Sequence, residues 1–108
     1  MGVEDGLEVF GVERSDRLRN LSEGTMFYLP NEIFRENVFL DQDGRLFTTG
    51  ADRDYPFLDP GLYIAAGRFE VFREEQERPI YINCILNAHD GSRHWVSGMV
   101  SVEILEIV

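Results

Sequence analysis

Where apolar residues concentrate in this chain they recur mostly at every second position, the period of a pleated strand. The pattern is clearest in residues 79–108, PIYINCILNAHDGSRHWVSGMVSVEILEIV. In the first run Ile80, Ile82, Cys84 and Leu86 share one face, while Tyr81, Asn83, Ile85 and Asn87 share the other, so one side is dry and the other mixed. In the second run Val96, Gly98, Val100, Val102 and Ile104 stand opposite Trp95, Ser97, Met99, Ser101 and Glu103. A polar segment carrying Asp90-Gly91 separates the runs, which predicts two antiparallel strands joined by a turn. The alternation breaks at Ile104-Leu105. There Leu105 and Ile107 bring apolar character to the face that Glu103 makes polar, which predicts a bulge or a terminus covered by something else. Left exposed, runs this apolar template edge-to-edge pairing, so they belong in central strands or beneath a partner chain.

The same reading organises the rest of the chain. Residues 6–12 alternate Leu7 and Val9 against Glu8 and Phe10, which suits a first strand, with Gly11 marking a bend. Residues 13–24 are rich in charge and turn formers and predict a loop with room for at most one helical turn. Residues 25–30, TMFYLP, predict a second strand ended by Pro30. Residues 31–37 fit either a helical turn capped by Asn31 or an irregular connection. Residues 38–47 carry apolar runs on both sides of Asp41-Gln42-Asp43-Gly44 and predict a hairpin whose glycine supplies positive φ. Residues 48–61 collect two glycines, two prolines and several Asp and predict a long surface loop pinned by Tyr55 and Phe57. In residues 62–73 the apolar phase moves from Leu62, Ile64 and Ala66 to Phe69 and Val71, which a bulge at Gly67-Arg68 would reconcile with one core. A charged connection, residues 73–78, leads into the terminal hairpin.

These elements predict an all-β fold, an antiparallel β-sandwich or small barrel of about 6–8 strands in a single domain spanning residues 1–108. At 108 residues, folding buries about 65% of the unfolded chain's surface, enough for a two-layer core without metal or disulfide. Charge narrows the functions. Twenty acidic residues face ten basic ones, all arginine, for a net charge of −10, which repels nucleic-acid phosphates and anionic membranes. The absence of lysine removes Schiff-base chemistry and a P-loop lysine. No apolar run has the length of a membrane span and the first residues lack the pattern of a secretory signal, so neither is expected.

Candidate chemistry is sparse. Asp41, Asp43 and Gly44 resemble the start of a calcium loop, with Asp52, Asp54 and Asp59 further acidic residues nearby. Arg45 stands where the next ligand would be, and a hairpin turn explains the same residues. Cys84, His89, Asp90 and His94 are transition-metal ligand types, yet a mid-strand thiol on the dry face does not converge with histidines flanking a turn. His94 and Ser97 lie at an odd spacing on one strand, which sends them to opposite faces, and no nucleophile elbow surrounds the serine. Cys84 reads as a small buried hydrophobe. Trp95 could stack on a sugar, but a Trp at a strand start more often packs in a core or at an interface. No catalytic, metal or cofactor set is therefore expected. The candidate interface residues are Trp95 and the uncovered apolar end, Leu105, Ile107 and Val108.

The opening GLEVFGVERSDRLRNL, residues 6–21, resembles the start of small β-rich tail-tip or tail-appendage proteins of long-tailed bacteriophages. The resemblance rests on a first strand with Gly6, Leu7, Val9 and Phe10 and a turn with Ser15, Asp16, Arg17 and Leu18. It implies a virion structural protein, made in the host cytoplasm, that binds other virion proteins, self-associates and has no catalytic residues. Two other functions fit the composition: an acidic inhibitor of a host nucleic-acid-binding protein, and a carbohydrate-binding module using Trp95 and the Asp-rich loop.

Overall fold

The computed structural model describes residues 10–73 and 78–107. Within them lie ten strands: β1 (Phe10–Arg17), β2 (Met26–Leu29), β3 (Ile33–Phe34), β4 (Glu36–Leu40), β5 (Leu46–Ala51), β6 (Phe57–Leu58), β7 (Gly61–Arg73), β8 (Ile80–Asn87), β9 (Arg93–Ser97) and β10 (Ser101–Ile107). One turn of 3-10 helix, Leu18–Asn20, follows β1, and the fold is all-β as the alternation predicts. Pairing is antiparallel except between β5 and β7.

The long strand β7 is the spine. Its first four residues pair β2, Phe72 and Arg73 at its far end pair β5, and β8 runs along it from Tyr63 to Val71. The phase change read from the sequence is a register shift between Ala65 and Arg68, with Gly67 at φ 117°, a conformation open to glycine. Strand β8 sits between β7 and β9, and four successive residues, Ile82, Asn83, Cys84 and Ile85, are buried. Consecutive burial means that both of its faces are covered.

On one face, side chains from the 3-10 turn and from β2, β6, β7, β8, β9 and β10 meet in a single core: Leu18, Phe27, Leu29, Leu58, Tyr63, Ala65, Ile85, Val96 and Val102. A flat sheet cannot bring these strands together, so the sheet curls around the cluster. The Tyr63 hydroxyl escapes the apolar interior by donating to the Asp59 carbonyl at 2.7 Å. On the other face Ile82, Cys84 and Val71 are buried, and the β4–β5 hairpin comes against β9 on this side.

Four expectations change. Residues 13–24 are not a loop throughout, because β1 continues to Arg17 and pairs β10 as far as Arg17 opposite Ser101. An edge strand faces solvent on one side, so a charged sequence such as ERSDR suits it. Residues 48–61 are not one loop: β5 runs to Ala51, and Phe57–Leu58 pairs with Ile33–Phe34. That pairing makes residues 33–34 extended, and β4 follows from Glu36, so residues 31–37 hold no helical turn.

The fourth change concerns the terminal hairpin. Its turn is where expected, with Gly91 at φ 74°, but only β9 returns along β8. The chain then bends at Gly98-Met99, and β10 leaves to pair β1 and β2. Leu18 and Arg19 donate backbone N–H groups to the Val100 and Gly98 carbonyls, both at 2.9 Å, tying this bend to the end of β1. The irregularity expected at Ile104-Leu105 lies on the facing strand. Arg14 pairs Ile104 and Val12 pairs Leu105, leaving Glu13 as the extra residue.

Candidate functional site

Among the described residues, the outward face of the curled sheet carries apolar side chains that remain exposed. Cross-strand partners share a face, so Tyr28 and Leu62 stand side by side there, as do Met26 and Ile64. Their neighbours in sequence, Phe27, Leu29, Tyr63 and Ala65, point into the core. Glu103 of β10 pairs Tyr28, and Leu105, two residues on, continues the same outward row. Across β8 and β9 the row continues through Leu86, Cys84 and Trp95.

The β4–β5 hairpin covers part of this face. Val38, Phe39, Leu40 and Leu46 of the hairpin and Phe69, Cys84, Leu86 and Trp95 of the sheet line a cleft of about 540 Å³. Trp95 is half-buried, and its ring meets Phe69 edge-on at 5.4 Å. The hairpin is set by Asp41, whose Oδ1 accepts the Asp43 and Arg45 N–H groups at 2.9 Å each, with Gly44 at φ 78°. Beyond the hairpin the face is open. Met26 is 44% exposed, Leu62 43% and Tyr28 37%, and a shallow cleft of about 470 Å³ lies beside Met26 and Leu62, bordered by Pro60 and His89. These exposed apolar residues are contiguous on a sheet face whose strands' other face lies in the core.

The sequence-derived interface candidates divide across this surface. Trp95 lines the hairpin cleft, and Leu105 is half-buried on the open side. Ile107 ends β10 opposite Phe10, and Val108 lies outside the described residues. Met26, Tyr28 and Leu62 were not singled out from sequence. The signal was present in MFYL: four apolar residues in succession place apolar side chains on both faces of a strand.

The candidate ionic sites are occupied by local structure. Asp41 and Asp43 both pair with Arg45, at 3.4 and 3.2 Å, and backbone hydrogen bonding from Arg45 holds the Asp41 carboxyl below its usual range. Asp52 accepts the Asp54 and Tyr55 N–H groups, pairs with Arg35 at 3.6 Å and is lowered likewise, by the Tyr55 N–H first. Among the described residues no three His, Cys, Asp or Glu side chains converge on a point that could hold a metal ion. Burial pushes the Cys84 thiol up.

His94 and Ser97 do not meet. His94 shares its face with Ile85, Ser97 is exposed on the other, and the His94 ring instead contacts the Ser92 hydroxyl at Nε2, 2.7 Å away. His94 Nδ1 and Arg35 Nε are buried without partners among the described residues. Burial, and then the charge of Arg35, depress the imidazole's pKa and favour the neutral ring. No helix among the described residues is long and apolar enough to cross a membrane.

No protein-family model matches the chain, and neither a curated protein nor a solved structure is significantly similar to it.

Proposed function

We propose that this protein is an assembly module that binds a neighbouring subunit through the open half of its outward sheet face, and that its setting is a bacteriophage tail. The single observation carrying the first part is the continuous row of Met26, Tyr28 and Leu62, each more than a third exposed on strands whose other side chains fill the core. Leaving such a row in water forgoes about 25 cal/mol for each Å² that a partner would cover. The resemblance of the opening sequence, residues 6–21, supports the tail setting, although Ser15, Asp16 and Arg17 lie within β1 and form no turn. There the neighbours are other virion proteins or a second copy of this chain.

The test is native mass spectrometry of the purified protein over a concentration series, with detection of the chain in purified particles. Wild type self-associates or co-assembles, and Tyr28→Glu with Leu62→Glu abolishes this while the far-ultraviolet circular dichroism stays that of a β protein. A wild-type protein that is monomeric at every concentration and missing from particles overturns the proposal.

A further inference from the structure

The cleft beneath the β4–β5 hairpin is apolar along its floor and charged at its two sides. Cys84 and Leu86 of β8 form the floor, with the Trp95 and Phe69 rings beside them. The hairpin does not fill this space, because Phe39 and Phe69 remain 42% and 39% exposed although both line it. A volume of about 540 Å³ lined mainly by aliphatic and aromatic side chains has the size and character of a small-molecule site.

Two ionised side chains complete the lining, Glu23 and Arg93, and they reach it from opposite sides of the floor. Glu23 is held against β7 by its neighbour Gly24, whose N–H donates to the Ala65 carbonyl at 2.7 Å, whereas Arg93 pairs Leu86 from β9. With β8 between them, β7 and β9 lie about 10 Å apart, two strand spacings. Neither Glu23 nor Arg93 makes an ion pair among the described residues, with each other or elsewhere. The Arg93 charge is felt at the floor, where it opposes the upward push of burial on the Cys84 thiol.

An apolar molecule entering this cleft strips water from both charged groups, which is costly unless each finds a partner. An anion meets Arg93 but is repelled by Glu23, a cation meets the reverse, and a neutral molecule partners neither. We propose that the cleft binds a free apolar α-amino acid. Its carboxylate accepts from the Arg93 guanidinium, its ammonium donates to the Glu23 carboxylate, and its side chain lies on Cys84, Leu86 and the Trp95 ring. The two ligand charges sit on one carbon, and the long Glu23 and Arg93 side chains close the rest of the span across β8. This site is separate from the open half of the outward face, and neither reading depends on the other.

Trp95 is the chain's single tryptophan, so its emission reads the cleft directly. The experiment titrates the intact protein at constant ionic strength with L-phenylalanine and, separately, 3-phenylpropionate, phenethylamine and glycine, which lack in turn the ammonium, the carboxylate and the apolar body. Phenylalanine changes Trp95 emission saturably, with half-saturation below about 10 mM, while 3-phenylpropionate and phenethylamine bind about tenfold more weakly and glycine has no effect. Glu23→Gln weakens phenylalanine binding about tenfold and removes its advantage over 3-phenylpropionate. Arg93→Gln removes its advantage over phenethylamine, and Arg53→Gln, on the β5–β6 connection, changes nothing. No saturable change up to about 50 mM phenylalanine, wild-type binding of either singly charged analogue as tight as phenylalanine, or variants that keep the wild-type selectivity overturn the proposal.

Discussion

Replacing Gly98 by alanine tests the geometry of the bend between β9 and β10. Gly98 is buried, and it is not among the glycines with positive φ, so its backbone conformation is one that alanine adopts. On backbone grounds alone the substitution would stabilise the protein by about 0.4–1 kcal/mol, through a less flexible unfolded chain. The contacts act the other way. The added methyl would lie 2.5 Å from Asn83 Oδ1, 2.9 Å from Arg19 Cβ and 3.5 Å from Arg19 Cα. Asn83 is enclosed between covered faces of β8, and Arg19 is held by its own N–H bond to Gly98, so neither retreats freely. Overpacking of this kind costs about 1–3 kcal/mol, leaving a net loss of up to about 2.6 kcal/mol after the backbone gain. In a domain near this size each kcal/mol moves the melting temperature by about 4–8 °C. Urea unfolding of Gly98→Ala, Asn83→Ala and the double variant reads the coupling directly. The double variant loses less than the sum of the two single changes, because removing the amide makes room for the methyl. A Gly98→Ala protein at least as stable as wild type, with additive single effects, refutes this account of the bend.

Three further outcomes follow from particular groups. The His94 imidazole is depressed below its ordinary value of 6.5, so the unfolded chain takes up its proton first and the folded state loses stability as pH falls through 6.5 toward the folded value. Urea midpoints between pH 8 and pH 5 will show this slope, and His94→Gln will flatten it. The Cys84 thiol, 3% exposed and with its pKa raised by burial, will react with a disulfide reagent at least about a hundredfold more slowly in the native protein than in urea, as expected of a buried thiol. Comparable rates would place Cys84 at an accessible surface. Millimolar calcium will leave the melting temperature unchanged, because the Asp41 and Asp52 carboxylates already accept backbone N–H groups and pair with Arg45 and Arg35; a calcium-dependent rise would show that the ion displaces these bonds.

Much of the fold was legible because side-chain period reports face. Ile82, Cys84 and Ile85 were readable as strand residues. The phase change near Gly67 was readable as a bulge, and Asp41 to Gly44 as a turn. Period does not report neighbour. Val96, Val100, Val102 and Ile104 keep one parity straight through the bend at Gly98-Met99, so the alternation of two strands reads as that of one. The bend is fixed by bonds from Leu18 and Arg19, some eighty residues away in sequence, which no local pattern contains. Charged residues 13–17 were read as a loop for a related reason: on an edge strand the composition reflects solvent on one side as much as the ladder on the other.

The candidate site shows the same division at finer scale. The phase break at Leu105 drew attention to apolar residues without cover, and Leu105 does lie on the open outward face, in the row of Tyr28. The larger part of that face comes from β2 and β7, where MFYL looked like an ordinary strand until pairing with Leu62 and Ile64 showed which residues were left outside. The hairpin β4–β5 decides the rest. It shelters Trp95 and Cys84 but stops short of Met26, Tyr28 and Leu62, so the boundary between covered and exposed apolar surface is set by how far two covering strands reach. A sequence-level search for interaction surfaces in small β proteins therefore gains most from strands whose two faces are both apolar. One face satisfies the core, and the other requires either a covering hairpin or a partner.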